Sequence, residues 1–208
     1  ALSWYEQINK SEDFFMWVHY MDVHDPYIFR EEYIDKVANH PVSRKSYRDA
    51  RTPTRVIDDG DEPTEEELAD VFALYDSEIR YMDKHAQELI NTVADDDTLV
   101  IFTADHGEPF GEVHGGFHIF SPRWNMSDVP LLVSGPGIEA NEISKYVSHI
   151  DIAPTICELL DIDVPSSFHG HNVLTDESHE PIYINYLSHE NREPGYACVS
   201  DGWKYIYE

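Results

Sequence analysis

Basic residues are scarce in this chain. Its 208 residues include 14 lysines and arginines against 41 aspartates and glutamates, which gives a formal net charge of −27. A surface this acidic repels nucleic acid and anionic membranes, so we expect neither as a partner. Because concentrated salt screens repulsion between like charges, we interpret the composition as halophilic adaptation, with an acidic mesophilic protein as the alternative.

Cysteines and long apolar runs are also scarce. Cys157 and Cys198 stand alone, without a CxxC or a metal-site spacing, and they offer no disulfide framework. Cys157 lies in an apolar helical pattern, which is typical of a small buried side chain. No signal peptide and no apolar run of membrane-spanning length occurs, so a cytoplasmic location is favoured. The first residue is not Met and residues 203–208 resemble an interrupted strand, so we expect a piece of a longer protein.

Apolar and aromatic residues are present in globular proportions, 41% and 12% of the chain. Buried strands are predicted at residues 14–20, 98–103 and 129–133. Between the first two, a capping box at Thr64 and Glu67 opens a helical pattern with apolar residues every three or four positions up to Val93. Strand, helix and strand in succession predict an α/β fold.

The length suits one α/β domain, and no repeat or low-complexity linker divides it. We therefore predict a single partial domain over residues 1–208, with its core in residues 12–160 and further strands in residues 180–208. Within the last region, Asp201-Gly202 predicts the turn of a hairpin. Asp151 is predicted to be the N-cap of a short helix, with Pro154 in its first turn.

Two predicted strands end in an aspartate and a histidine. Strand 98–103 is followed by Asp105-His106-Gly107, and strand 14–20 by a loop that contains His24. Ligands bind at the carboxyl ends of strands in open α/β sheets, and an aspartate beside a histidine offers oxygen and nitrogen ligands to a divalent cation. The alternatives are a helix N-cap with a surface histidine at Asp105-His106, and a surface loop histidine at His24. Downstream, residues 109–128 carry His114 and His118 among three glycines, a composition suited to closing over an anion.

Four blocks of the chain, in order, resemble the motifs of the sulfatase family of the alkaline phosphatase superfamily. Residues 17–27 are similar to a strand that ends in Asp-Pro-His-x-Pro-Tyr, with valine in place of the first proline. Residues 74–83 are similar to a helix written Tyr-Asp-x-Glu-Ile-x-Tyr-x-Asp, and residues 102–108 to Thr-Ser-Asp-His-Gly-Glu. Residues 129–137 together with 149–155 complete the set.

The resemblance implies a three-layer α/β/α alkaline-phosphatase-like domain with a mixed, mostly parallel sheet, incomplete at the N-terminus and also at the C-terminus. It implies that Asp105 and His106 bind the divalent metal of the active site, which is usually calcium in sulfatases. His24 would contact the sulfate or protonate the leaving alcohol, and His118 and His114 would help to bind the anion. The substrate would be a small sulfate ester.

The chain departs from the family pattern at two places. The loop after Gly107 has no lysine, and Val113 interrupts the usual Glu-His-Gly, which leaves His118 as the nearest substitute. No Cys/Ser-x-Pro-x-Arg is present to supply the formylglycine nucleophile, since Ser121-Pro122-Arg123 has the wrong spacing. The nucleophile and the remaining metal carboxylates are therefore expected upstream, and this piece alone is predicted to be inactive.

Two other functions remain open on the sequence. One is a phosphodiesterase, phosphonate monoesterase or phosphotransferase of the same superfamily, in which Asp22, His24, Asp105 and His106 would hold two metals and a phosphate ester. The other is a non-catalytic, degenerate sulfatase-like binding module. The sequence leaves the oligomeric state and the alcohol part of the substrate undetermined.

Overall fold

A computed structural model describes residues 1–24, 26–42, 64–110, 122–175, 181–187 and 194–207. In chain order it has helices α1 (Leu2–Tyr5), α2 (Glu31–Ile34) and α3 (Glu65–Val93), strand β1 (Val100–Thr103), helix α4 (Trp124–Ser127), strand β2 (Leu131–Ser134), a 3₁₀ helix (His149–Asp151), helix α5 (Ile152–Leu159), and strands β3 (Ile182–Leu187), β4 (Pro194–Ser200) and β5 (Trp203–Tyr207). None of the described helices is both long enough and apolar enough to cross a membrane.

The contacts divide the chain into two compact units. The first unit comprises Ala1–Ile119 and Val129–Ile138, and the second comprises Phe120–Asp128 and Glu139–Glu208. The single domain expected over residues 1–208 stays a prediction.

Helix α3 forms as its sequence predicts. The Thr64 hydroxyl accepts the Glu67 amide N–H at 3.2 Å, and the Glu67 carboxylate accepts the Thr64 amide N–H at 2.8 Å. These two bonds satisfy amides that have no partner inside the helix. Val71, Leu74 and Leu89, spaced along the predicted apolar stripe, are buried. The capping box and the periodicity together set both ends of the helix.

The capping box gives a stability prediction. We expect Thr64→Ala to lower the free energy of unfolding by about 1 kcal/mol in urea titrations at neutral pH. The hydrogen bonds from the Thr64 amide and hydroxyl lower the pKa of Glu67 below 4.5. A lowered folded-state pKa stabilises the fold above the unfolded value, and this contribution disappears as the pH falls through the folded pKa. The effect of Thr64→Ala should therefore shrink in acid.

Thr92→Ala is the matched control for this prediction, because Thr92 is an exposed threonine near the other end of α3. Its hydroxyl donates only to the Glu88 carbonyl oxygen, at 2.7 Å. The backbone of α3 is therefore expected to keep its bonds in this variant. An equal loss of stability in the two variants would show that the capping box contributes no more to the free energy of unfolding than the Thr92 hydroxyl does.

One face of α3 forms the core of the first unit. Tyr27 and Ile34, from the segment that follows residue 24, pack with Val71 and Leu74 of the helix. Beside them the Tyr75 ring stands edge-on to two other rings, with centroid distances of 5.6 Å to Tyr27 and 4.8 Å to Phe110. The helix therefore anchors both the segment after His24 and the segment after Asp105-His106.

Residues 14–20 form neither a helix nor a strand, so the expectation of a buried central strand is wrong. Met16, Val18 and Tyr20 are half-buried, whereas Phe15 and Trp17 on the other side are 74% and 78% exposed. No strand among the described residues pairs with this segment. Apolar side chains on both faces favour a strand, but a strand also requires neighbours that complete its hydrogen bonds.

Strands β1 and β2 form where the sequence predicts them and pair antiparallel, with Ile101 opposite Val133 and Thr103 opposite Leu131. The mostly parallel sheet that the resemblance implies is not seen among the described strands, whose pairings are all antiparallel. A parallel pair requires a crossover connection, and between β1 and β2 the described helix is the single turn of α4. Both strands are half-buried rather than fully buried.

The second unit contains a three-stranded antiparallel sheet in the order β3-β4-β5. Asp201 and Gly202 connect β4 to β5 with φ angles of 52° and 79°, the left-handed pair that a tight hairpin turn requires. The hairpin prediction is confirmed. Cys157, on helix α5, is half-buried rather than fully buried.

Helix α5 begins at Ile152 with Asp151 at the N-cap position and Pro154 in the first turn, as predicted. The expected capping bond is absent. The Asp151 carboxylate instead accepts the amide N–H groups of Ser148 and His171, each at 2.8 Å. Through Ser148 the Asp151 carboxylate caps the preceding 3₁₀ helix, and through His171 it holds a loop twenty residues further along the chain.

Candidate metal and anion site

Asp105 and His106 lie in the segment that follows β1, as the sequence predicts. The Asp105 side chain is 74% exposed, and its Oδ1 accepts the backbone N–H of His106 at 3.0 Å. The other carboxylate oxygen, Oδ2, lies 3.9 Å from Nε2 of His106. A carboxylate oxygen and an imidazole nitrogen therefore stand side by side at the end of a strand.

The His106 ring is oriented by a backbone contact. Its Nδ1 lies 2.8 Å from the carbonyl oxygen of Gly107, which accepts but does not donate a hydrogen bond. In the neutral ring Nδ1 therefore carries the proton, and the lone pair is on Nε2, which faces the Asp105 carboxylate. A carbonyl that fixes the tautomer in this way is a common partner of metal-binding histidines.

This pair fits a hard divalent cation as two of its ligands. A carboxylate oxygen and an imidazole nitrogen can bind the same divalent cation, and the 3.9 Å between Oδ2 and Nε2 is compatible with one ion bound by both. Within the part of the chain that the structure describes, no group of three or more His, Cys, Asp or Glu side chains could hold a metal. Among the described residues the pair is thus an incomplete ligand set, and the further carboxylates expected upstream stay a prediction.

His24 lies at the end of a tight turn in the same unit. Its backbone N–H donates to the carbonyl oxygen of Met21 at 3.2 Å, and its side chain is exposed. Val23, inside the turn, has a φ of +79°. The resemblance expects a proline at this position, and a proline ring holds φ near −65°, so this turn differs from the one that a proline would form.

Asp22 forms an ion pair within the protein. The guanidinium Nη2 of Arg30 donates to Oδ1 of Asp22 at 3.3 Å. A carboxylate that already neutralises an arginine is a weaker metal ligand. This contact disfavours the two-metal arrangement in which Asp22 would bind a second cation.

The structure leaves the other predicted histidines untested. His114 and His118 lie outside the described residues, so their roles in anion binding stay predictions. His149 lies in the 3₁₀ helix of the second unit and is exposed.

Sequence reasoning missed a charged cluster beside His24. Glu78 on α3 is only 2% exposed, forms an ion pair with Arg30, and accepts the amide N–H of Ile28 at 2.5 Å. The Arg30 guanidinium stacks on the Tyr81 ring, with Cζ 3.7 Å from the centroid. The usable signal was the position of Glu78, which falls on the buried side of an otherwise regular amphipathic helix.

Tyr75 joins the site-bearing segments electrostatically as well as by packing. Burial raises the pKa of its hydroxyl first, and the carboxylates of Glu108 and Asp76 raise that pKa further. Glu108 directly follows the Asp-His-Gly motif. Its charge therefore acts on Tyr75, in the turn of α3 that packs against Tyr27.

Comparison with known proteins shows that the chain is similar to sulfatases. The family model described as Sulfatase matches residues 2–162. The chain is 27% identical over 205 residues to choline-sulfatase of Rhizobium meliloti (strain 1021), covering 88% of this chain and 40% of that protein. It is 36% identical over 167 residues to arylsulfatase K of Gallus gallus, covering 69% of this chain and 30% of that protein.

Among solved structures, the phosphonate monoester hydrolase SpPMH from Silicibacter pomeroyi is similar with a TM-score of 0.61 and 21% identity, over 80% of this chain and 39% of that one. This likeness confirms the alkaline-phosphatase-like α/β fold. The chain spans 40% or less of the length of these relatives. With a family model matched over most of its length and relatives that are sulfatases, the chain belongs to the sulfatase family.

Proposed function

We propose that this chain supplies part of the metal site and the proton donor of a sulfuric ester hydrolase that acts on a small sulfate ester. Asp105 and His106 would bind the divalent metal, which is usually calcium in sulfatases. His24 would protonate the departing alcohol or contact the sulfate. His114 and His118 would add contacts to the anion. The observation that carries the proposal is the pairing of Asp105 Oδ2 with His106 Nε2, whose tautomer is set by Gly107.

A bound divalent cation would neutralise negative charge on the non-bridging sulfate oxygens. The residues of this chain would orient that ion, hold the ester and deliver a proton. His24 suits proton transfer because it is exposed and an imidazole can both accept and donate a proton. The nucleophile is expected upstream of these residues, so we expect this chain by itself to lack activity.

The alternatives make different use of the same residues. A phosphorus ester hydrolase would gain from a second metal site, and the ion pair between Asp22 and Arg30 disfavours it. A non-catalytic module would not require a His106 ring whose tautomer is fixed by the Gly107 carbonyl. Titration with calcium would separate that module from an enzyme, since a degenerate site should not bind the ion tightly in the intact protein.

The test is hydrolysis by the protein as its gene encodes it, purified in molar potassium chloride because of its acidic surface. Substrates that share one leaving group, 4-nitrophenyl sulfate, bis(4-nitrophenyl) phosphate and 4-nitrophenyl phenylphosphonate, compare the acids directly. We expect the highest kcat/KM for the sulfate. A preference for either phosphorus ester would overturn the assignment, and no turnover of any ester would favour the non-catalytic module.

His24→Gln tests the proton donor. Because 4-nitrophenolate leaves without much help, we expect the variant to lose roughly tenfold with 4-nitrophenyl sulfate and roughly a hundredfold or more with phenyl sulfate. His19→Gln is the control, since His19 is an exposed histidine five positions before His24. Equal losses with the two leaving groups would show that His24 binds the sulfate and does not protonate the alcohol.

A further inference from the structure

The loop from Asp22 to Arg30 is closed by its own two ends. Arg30 Nη2 donates to Oδ1 of Asp22 at 3.3 Å, so a residue inside the turn that presents His24 and a residue well after that turn are joined directly. Both side chains are largely covered, at 29% exposure for Asp22 and 17% for Arg30. An ion pair that is partly shielded from water is stronger than one on an open surface.

The closed loop is fastened to α3 at Glu78. The Glu78 carboxylate pairs with Arg30 Nη1 and also accepts the Ile28 amide N–H at 2.5 Å. Nη1 is buried without a well-aligned hydrogen bond, so its contact with Glu78 is an ion pair more than a directional bond. Tyr81, one turn further along α3, stacks under the guanidinium at 3.7 Å. Arg30 is therefore held from three sides.

The turn that presents His24 is strained. Met21 and His24 are joined by a backbone hydrogen bond of 3.2 Å, and Val23 stands at the third position of the turn with a φ of +79°. That position of a type II turn favours glycine, because a side chain there meets the backbone, and a β-branched side chain is the least suited. Strain of this kind persists only where surrounding contacts hold it.

We propose that Arg30 is a positioning residue, which holds the strained turn at Val23 by pairing with Asp22 and Glu78 and thereby fixes the place of His24. Buried ion pairs contribute little net stability, whereas they specify one arrangement of the groups that they join. The planar guanidinium contacts two carboxylates and a ring at once, which the single ammonium of a lysine does not reproduce. The catalytic part of this proposal, that Arg30 fixes the position of a proton donor, rests on the function proposed above.

The first test does not depend on activity. Hydrogen exchange of the His24 amide reports directly on its bond to Met21, and we expect Asp22→Asn to speed that exchange roughly tenfold. This variant leaves Arg30 paired with the buried Glu78, so the fold is expected to remain. Arg80→Gln is the control, because Arg80 is an exposed arginine on the same helix, and it should leave the exchange unchanged.

Arg30→Gln and Arg30→Lys extend the series, and both should speed the exchange, the first more than the second. Val23→Gly is then added to each variant. A glycine adopts the positive φ without strain, so it should restore most of the slow exchange of the His24 amide. Unchanged exchange in Asp22→Asn, or no restoration by Val23→Gly, would overturn the proposal.

Kinetics of the intact protein supply the second readout. We expect Asp22→Asn to lower kcat for phenyl sulfate roughly tenfold with KM changed less than about twofold, and Val23→Gly to restore it, because a misplaced proton donor slows the reaction without weakening binding. If exchange responds as expected but no sulfate ester is hydrolysed by the unmodified protein, the proposed function fails and the positioning role stands. If the unmodified protein is active and exchange does not respond, the positioning role fails alone.

Discussion

Replacing Asp105 by asparagine should remove divalent-cation binding from the intact protein and lower kcat/KM for an aryl sulfate roughly a thousandfold. Oδ2 of Asp105 is the anionic member of the pair that faces His106 Nε2 at 3.9 Å, and the substitution removes its charge. Several kilocalories per mole of transition-state stabilisation depend on a metal in this kind of reaction, which corresponds to a loss of that size. The measurements are calcium titration by calorimetry and steady-state kinetics.

The variant is conservative in every other respect. An asparagine keeps an oxygen at Oδ1, which accepts the His106 amide N–H at 3.0 Å, so the turn after β1 should be retained. Asp96→Asn makes the same change of charge at an exposed aspartate just before β1 and serves as the control. If Asp105→Asn bound calcium as tightly as the unmodified protein, the metal assignment would be wrong. Loss of calcium binding with full activity would show that the ion is structural.

The parts of the fold that the sequence predicted well are those specified by neighbouring residues. Helix α3 is set by the reciprocal bonds of Thr64 and Glu67 and by an apolar stripe that repeats every turn. The β4–β5 hairpin is set by two residues, Asp201 and Gly202, that tolerate left-handed backbone angles. The Asp105-His106 pair follows its strand directly, so its location required only that the strand be recognised.

The parts that the sequence did not predict depend on contacts between distant residues. Residues 14–20 have the composition of a buried strand, but burial depends on which strands pair with them, and composition does not encode that. Arg30 lies 48 positions before Glu78, and neither belongs to a motif that links the two. The positive φ of Val23 was also unpredictable, because the local preference of valine opposes it.

Asp151 illustrates how a family motif can have a structural role. Its side chain is 1% exposed and accepts the amide N–H groups of Ser148 and His171. One turn later, the hydroxyl of Thr155 donates to the Asp151 carbonyl oxygen at 2.6 Å and accepts the Val173 amide N–H at 3.0 Å. The block of residues 149–155 that resembles the sulfatases thus binds the backbone of residues 171–173 to the start of α5.

We expect Asp151→Ala to lower the free energy of unfolding by about 2 kcal/mol, because it leaves two partly buried amide groups without their acceptor. Asp151→Asn should lose somewhat less stability than Asp151→Ala. Its side-chain oxygen still accepts one amide N–H, but its side-chain NH₂ faces the other amide N–H, which is also a donor. Urea unfolding at neutral pH, followed by circular dichroism, measures both variants. Asp163→Ala, at an exposed aspartate beyond the same helix, should change stability by less than about 0.5 kcal/mol.

A structural role and a catalytic role for Asp151 predict different activities for the Asp151→Asn variant. Activity of the intact Asp151→Asn protein should follow its folded fraction, because the carboxylate is engaged by two amides and is closed to solvent. Full recovery of kcat under conditions in which the variant is fully folded would therefore support the structural role. A fully folded variant that remained inactive would show that Asp151 takes part in the chemistry, and the motif at residues 149–155 would then belong to the active site.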